Sequence, residues 1–173
     1  MQRVAIIGCS GAGKTALAVE LGRLLGLPVV HLDQAYWRPG WAMPGVDEWM
    51  AIHCRLLEGD RWIIDGNYQS TLEARVRRAD TVIWLDYGRR VCLARAVRRW
   101  FTSWGRTRPD MAPGCPEHVD LPFLAYIWGF RRRQRPRILG ALAALPRGVK
   151  VHRVCDPGEV PALLELLDPA SAA

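Results

Sequence analysis

The residues with the most pointed chemistry are Gly8, Cys9, Ser10, Gly11, Ala12, Gly13, Lys14 and Thr15. They fit the spacing glycine, four residues, glycine-lysine-serine/threonine. The apolar run Val4, Ala5, Ile6, Ile7 precedes them and reads as a buried strand, and residues 16–21 read as the start of a helix. That strand–loop–helix setting separates a phosphate-binding loop from a chance run of glycines. Glycines let the loop curl until successive backbone N–H groups point inward at phosphate oxygens. The helix opening near Gly13 adds the positive end of its dipole. Gly8, Ser10, Gly11, Ala12, Gly13 and Ala16 then form the cofactor cradle, and Lys14 reaches the outer phosphates. The Thr15 hydroxyl is placed to ligate Mg²⁺, so the expected cofactors are ATP and Mg²⁺.

Carboxylates and arginines supply the remaining candidates. Asp33, Asp65 and Asp86 each close an apolar stretch that reads as a strand, and ligands of parallel sheets bind beyond such carboxyl ends. Asp33 is a candidate base or acceptor-orienting group, set against a plain capping role. Arg95, Arg98 and Arg99 recur at i, i+3 and i+4 and share one helix face. Arg106 and Arg108 lie in a Pro- and Gly-rich stretch, and Arg131, Arg132, Arg133 and Arg135 follow it. Phosphoryl transfer needs converging positive charge, whereas a solvated basic face is the alternative for any single one. Tyr36, Trp37 and Trp41 either stack on a planar acceptor or pack their own loop.

These groups need a scaffold, and the hydrophobic periodicity supplies one. Strands are expected over 1–7, 29–33, 61–65, 81–86 and 149–154. Helices are expected over 14–25, 46–58, 70–78 (Leu72 and Val76 inward), 89–104, 123–145 (interrupted at Pro136) and 158–167. Residues 34–45 and 105–122 read as loops, and the tail over 168–173 as frayed. Alternating strands and helices mean a parallel sheet covered on both faces, in one domain over 1–173, with a lid-like segment over about 102–122.

Composition narrows the class. Half of the 173 residues are hydrophobic and 24% are charged, a globular balance, and no apolar run spans a bilayer. The five cysteines are scattered, which fits neither a disulfide framework nor a zinc site, so a cytoplasmic protein is expected. The net charge is +7, from 22 Arg and two Lys. Either coding bias or polyanion binding explains that excess. A small-molecule acceptor is the expected partner, with no membrane, as a monomer or weak homodimer; nucleic acid is the less favoured alternative.

The loop, the strands and the basic insertion resemble the adenylate kinase and shikimate kinase branch of P-loop kinases. The chain more closely resembles small bacterial adenylate-kinase-related, or DNA topology modulation (FlaR-like), proteins. The matching segments are the phosphate loop, His31-Leu32-Asp33, Trp37-Arg38-Pro39-Gly40-Trp41, Ile64-Asp65-Gly66-Asn67-Tyr68, Gly105-Arg106-Thr107-Arg108-Pro109-Asp110-Met111 and Phe130-Arg131-Arg132. The resemblance implies a three-layer α/β/α fold with a five-stranded parallel sheet of order 2-3-1-4-5 and an arginine-rich lid. It implies Asp65 as the second Mg²⁺ ligand beside Thr15, with Asp86 structural. It also implies Arg95 against the adenine and Arg99 and Arg132 on phosphates. Where adenylate kinases continue Asp-Gly with Phe-Pro-Arg, this chain has Asn67-Tyr68-Gln69, which speaks against a nucleoside monophosphate acceptor. The expected activity is Mg²⁺-dependent transfer of the ATP γ-phosphoryl group to a small hydroxyl or phosphate acceptor, nucleoside- or nucleotide-like. The alternative is a nucleic-acid-associated ATP-binding regulator.

Overall fold

A computed structural model describes residues 1–172. Five strands alternate with helices: β1 Arg3–Gly8, α1 Lys14–Leu25, β2 Val29–His31, α2 Leu32–Tyr36, α3 Val46–Leu56 and β3 Trp62–Asp65. Then come α4 Gln69–Arg78, β4 Thr81–Leu85, α5 Arg89–Ser103, α6 Leu121–Arg133, α7 Arg135–Ala143, β5 Lys150–Val154 and α8 Val160–Leu167. All strand pairs are parallel, in the order β2-β3-β1-β4-β5. The chain moves from β1 outward to β2, then from β3 across β1 to β4. Right-handed crossovers in opposite directions place helices on opposite faces, which makes three layers. Buried on both faces, β1, β3 and β4 are continuous apolar runs rather than alternating ones.

Two departures from the expected elements matter for the site. β2 stops at His31, and Asp33 sits in the first turn of α2 rather than at a strand end. The register explains this: His31 pairs with Asp65, the last residue of β3, so Leu32 has no strand partner. Leu32 instead packs over Gly66, whose φ is +135°; a Cβ there would meet the Leu32 side chain at 2.8 Å. An acidic residue in a first helical turn is also favourable against the helix dipole. The second departure is the expected 123–145 helix, which is two helices broken at Gln134. Pro136 has no N–H, fits only the first turn of a helix, and so starts α7. α6 begins earlier than expected because Asp120 caps it, accepting from the Phe123 N–H at 3.1 Å.

Residues 34–45 are not wholly irregular: α2 extends to Tyr36 and Pro39–Trp41 form a 3-10 turn. The tail carries a 3-10 turn over Pro169–Ala172 where fraying was expected; residue 173 lies outside the described residues. The main core joins the sheet to α1, α4, α5, α6 and α7. A separate small cluster of Met111, Ala112 and Cys115 packs on Trp37 and Trp41. Among the described residues no helix is long and apolar enough to cross a membrane.

Candidate active site

A cleft of about 1450 Å³ opens above the carboxyl ends of the strands. The loop from Ser10 to Thr15, together with Ala16, lines it; Gly8 lies beneath, paired with Leu85 at the end of β4. Gly11 is tight against α5: at φ +80°, a Cβ there would meet the Cys92 carbonyl oxygen at 2.2 Å. No side chain caps α1 and its first turn holds no acidic residue, so its leading N–H groups are left for an anion. The Lys14 ammonium donates to the Cys9 carbonyl at 3.2 Å, folded back along the loop. Cys9 is buried, and a hydrogen bond with Cys92 and burial push its thiol up, so it acts as a small filler.

Two contacts tie distant segments to this loop. Arg95 donates from Nη1 to the Ala12 carbonyl at 3.1 Å, and its guanidinium lies 5.6 Å from the Tyr87 ring. It lines the cleft and buttresses the loop at once. The Thr15 hydroxyl donates to Asp110 Oδ2 at 3.2 Å. Asp110 comes from the irregular stretch between α5 and α6, and was not a candidate from the sequence beyond its place in a quoted segment. Arg108 fixes it, donating from Nη1 to Asp110 Oδ2 at 2.6 Å and from Nε to Glu117 Oε1 at 2.6 Å. Arg99 also approaches Glu117, 3.3 Å from its Oε1. Burial, then the neighbouring Arg108 charge, lower the Arg99 pKa, a strain that the Glu117 carboxylate partly offsets.

This stretch is clamped over the cleft. Gly105 N–H donates to Glu117 O and Glu117 N–H to Arg106 O, each at 3.0 Å. Gly40 N–H donates to Gly114 O at 2.8 Å, and Trp41 Nε1 to Pro116 O at 3.0 Å. Trp37 and Trp41 thus pack the stretch while still lining the cleft. Tyr36 packs on Trp49 and Tyr68, with ring centroids 5.0 Å and 4.6 Å away.

Asp33 and Asp65 line the same cleft. Asp33 Oδ1 accepts from the Tyr68 hydroxyl at 2.7 Å. Tyr68 sits at a strained φ of 21°, a cost tolerated where surrounding packing fixes a functional side chain. Its phenol pKa is raised, first by burial and then by the Asp33 charge, so it stays a donor. Asp65 also lines the cleft, but its Oδ2 lies 2.5 Å from His31 Nδ1. That hydrogen bond raises the His31 pKa and favours the imidazolium. Asp65 is therefore held by His31, and the carboxylate that touches Thr15 is Asp110.

Arg75 is fully buried and positions the turn after β3. Its Nη2 donates to the carbonyls of Gly66 at 3.0 Å and Asn67 at 3.1 Å, and its Nη1 meets His53 Nε2 at 3.1 Å. Burial lowers its pKa to about 10. Burial, then the Arg75 charge, likewise push buried His53 down to about 4. His53 stays neutral in the fold but protonates near pH 6.5 when unfolded, so protons favour the unfolded chain. Unfolding free energy is expected to fall by about 3 kcal/mol as pH drops from about 6.5 to about 4, and to lose nothing further from this group below that. Urea melts across that range check it: in His53→Gln, which keeps an acceptor for Arg75, this component of the slope disappears.

Not every expected residue reaches the cleft. Arg132 is exposed and lines a separate groove of about 780 Å³ with Arg89, Trp128 and Arg133. The break at Gln134 ends α6 there, and Gln134 rather than Arg132 lines the cleft. Arg135 is drawn to buried Asp86, which Arg153 also holds at 2.7 Å. Asp86 is thus committed to two partly exposed arginines.

The sequence matches no family model and no curated protein. Solved structures match along nearly the whole chain. A shikimate kinase from Acinetobacter baumannii in complex with shikimate has a TM-score of 0.65 at 13% identity, over 96% of this chain and 90% of that one. A deoxyadenosine kinase from M. mycoides with bound dATP has a TM-score of 0.55 at 14% identity, over the whole of both chains. A sugar kinase from Janibacter has a TM-score of 0.52 at 20% identity, over 99% and 97%. The likeness is one of fold: this chain has the P-loop kinase fold, and these matches do not show the narrower resemblance to adenylate-kinase-related, FlaR-like proteins.

Proposed function

We propose that the protein is an ATP-dependent, Mg²⁺-requiring phosphotransferase that moves the γ-phosphoryl group to a hydroxyl of a small acceptor. The observation that carries this reading is one cleft lined at once by the phosphate loop, by Asp33, and by Arg99 and Arg108. Such a layout supplies positioning and charge neutralisation, which dominate phosphoryl transfer. The fold neighbours, kinases for shikimate, deoxyadenosine and sugars by their names, are in keeping with it.

The residues fit Mg²⁺. Thr15 Oγ1 and Asp110 Oδ2 converge at 3.2 Å as hard oxygen donors, with Asp33 and Asp65 on the same cleft. Among the described residues no cluster of three or more His, Cys, Asp or Glu forms a full cage. Mg²⁺ needs none, since it keeps waters and phosphate oxygens as ligands. When bound, it would neutralise charge on the β- and γ-phosphates. Lys14 swings from the Cys9 carbonyl to the outer phosphates, and Arg99 and Arg108 neutralise the transferred group. Asp33, oriented by Tyr68, accepts the proton of the attacking hydroxyl as the acceptor oxygen bonds to phosphorus and ADP leaves. The phosphate-gripping role expected of Arg132 passes to Arg108. The stretch over 105–120 excludes water.

The test is transfer of labelled γ-phosphate to a panel of hydroxyl acceptors. Asp33→Asn is expected to lower kcat by about 10²-fold, the usual scale for losing a general base. Unchanged kcat in that variant removes Asp33 from the role, and no transfer to any acceptor overturns the kinase reading.

A second reading has one observation of its own. Arg89 lies 4.1 Å from the exposed Trp128 ring, in the groove that holds Arg132 and Arg133. Cations beside an aromatic face suit a single-stranded polyanion. Salt-dependent oligonucleotide binding that Trp128→Ala weakens, without γ-phosphoryl transfer, is the outcome that would favour a nucleic-acid-associated regulator.

A further inference from the structure

We propose that Glu117 is a positioning residue for phosphoryl transfer: one buried carboxylate that holds Arg99 and Arg108 as a ready-made pair on the cleft. This rests on the kinase reading above and adds the residue through which its two arginines are placed.

Glu117 is 4% exposed, and a glutamate is almost never so buried unless it is paired. Its backbone is pinned on both sides, by the bonds to Gly105 and Arg106, so the side chain starts from a fixed point. Both arginines approach the same oxygen, Oε1, through Nε. Arg108 does so at 2.6 Å as a charge-assisted hydrogen bond, and Arg99 at 3.3 Å as an ion-pair contact. Among the described residues Glu117 is the one carboxylate paired with both, whereas Asp110 is paired with Arg108 alone.

The edge by which each guanidinium is held matters. The group carries five N–H donors in a planar fork. Held by Nε, it keeps its far end for another anion. Among the described residues both Nη nitrogens of Arg99, and Nη2 of Arg108, have no hydrogen-bond partner. Both arginines line the cleft beside the phosphate loop. The Phe123 ring, 5.7 Å from the Arg99 guanidinium, gives that group a flat surface to lie against.

The pair does not hold itself together. Burial, then the Arg108 charge, work against the charged form of Arg99. Like charges repel, and a long arginine side chain gains rotamer freedom by turning out to water. One carboxylate between the two offsets the repulsion and fixes both stems before any phosphate arrives. Charge placed in advance costs no reorganisation at the moment of transfer. Arg99 belongs to α5 and Arg108 to the stretch closed over the cleft, so Glu117 also ties that closure to assembly of the pair.

The experiment uses the full chain with ATP, Mg²⁺ and a hydroxyl acceptor that the parent phosphorylates. Glu117→Gln, which keeps the reach and loses the charge, is expected to lower kcat by about 10- to 10²-fold, the scale set by misplaced groups. KM for ATP is expected to stay within about threefold or to fall, because a carboxylate is removed from beside the triphosphate. A Glu117 that only staples the stretch would instead raise KM as the cleft opens. Glu117→Asp, which keeps the charge and draws it back by one methylene, should lower kcat as well. In an Arg99→Gln background, Glu117→Gln should cost less than about threefold, since its effect passes through the arginines. A cooperative melt in either variant with kcat unchanged overturns the proposal. So does the same cost with and without Arg99, a rise in KM that accounts for the loss, or failure of both variants to fold. Each of these leaves the kinase reading standing, whereas no transfer by the parent to any acceptor overturns both.

Discussion

Lys14→Ala is expected to lower kcat for phosphoryl transfer by about 10³-fold while the protein stays folded. Lys14 is half-buried at the start of α1, and its ammonium bonds only the Cys9 carbonyl, at 3.2 Å. It lies outside the hydrophobic core, so truncation costs little stability. The loss falls on chemistry, because negative charge develops where this ammonium can reach and Arg95 cannot replace it. Arg95 is already spent on the Ala12 carbonyl. Lys14→Arg should recover little, since a planar fork does not fit where a point charge is needed. Steady-state kinetics beside a thermal melt separate the two effects. A variant that melts like the parent and keeps its kcat would remove Lys14 from the mechanism.

Arg75→Ala is the stability counterpart, with an expected loss of about 3 kcal/mol. Removing the guanidinium relieves its own desolvation. It also orphans the buried carbonyls of Gly66 and Asn67, each at about 1–3 kcal/mol, and leaves a void beneath the turn. The orphaned groups and the void outweigh the relief. For a chain of this length the melting temperature should drop by roughly 10 °C. Arg75→Lys should rescue only part, because one ammonium does not span two carbonyls, Thr71 and His53. The turn carries Tyr68, so KM for the acceptor should rise as well. A melt unchanged in Arg75→Ala would show that the turn holds itself.

How far each feature was legible depends on how locally it is encoded. The phosphate loop is a run of eight residues between a strand and a helix, and its spacing alone placed Lys14 and Thr15. Apolar runs located the five strands, and the resemblance supplied their order, which the parallel pairings bear out. Asp33 was expected at a strand end and lies instead in the first turn of α2, lining the cleft, because β2 loses its partner one residue earlier than its apolar run ends.

The residues that escaped did so for tertiary reasons. Asp110 and Glu117 lie in a stretch without periodicity, and Asp110 meets Thr15 across 95 positions. Arg75 falls between Leu72 and Val76 on α4, where an arginine reads as solvent-facing until the turn over it supplies two carbonyls. Arg132 reads as one more phosphate-gripping arginine until α6 ends beside Gln134 and leaves it on another groove. By itself, then, the sequence determined the phosphate loop, because backbone curl and helix polarity are set by neighbours in the chain. Only the tertiary structure decided how the rest of the cleft is lined. Which carboxylate meets Thr15 and which arginines are paired depend on contacts between segments far apart in sequence.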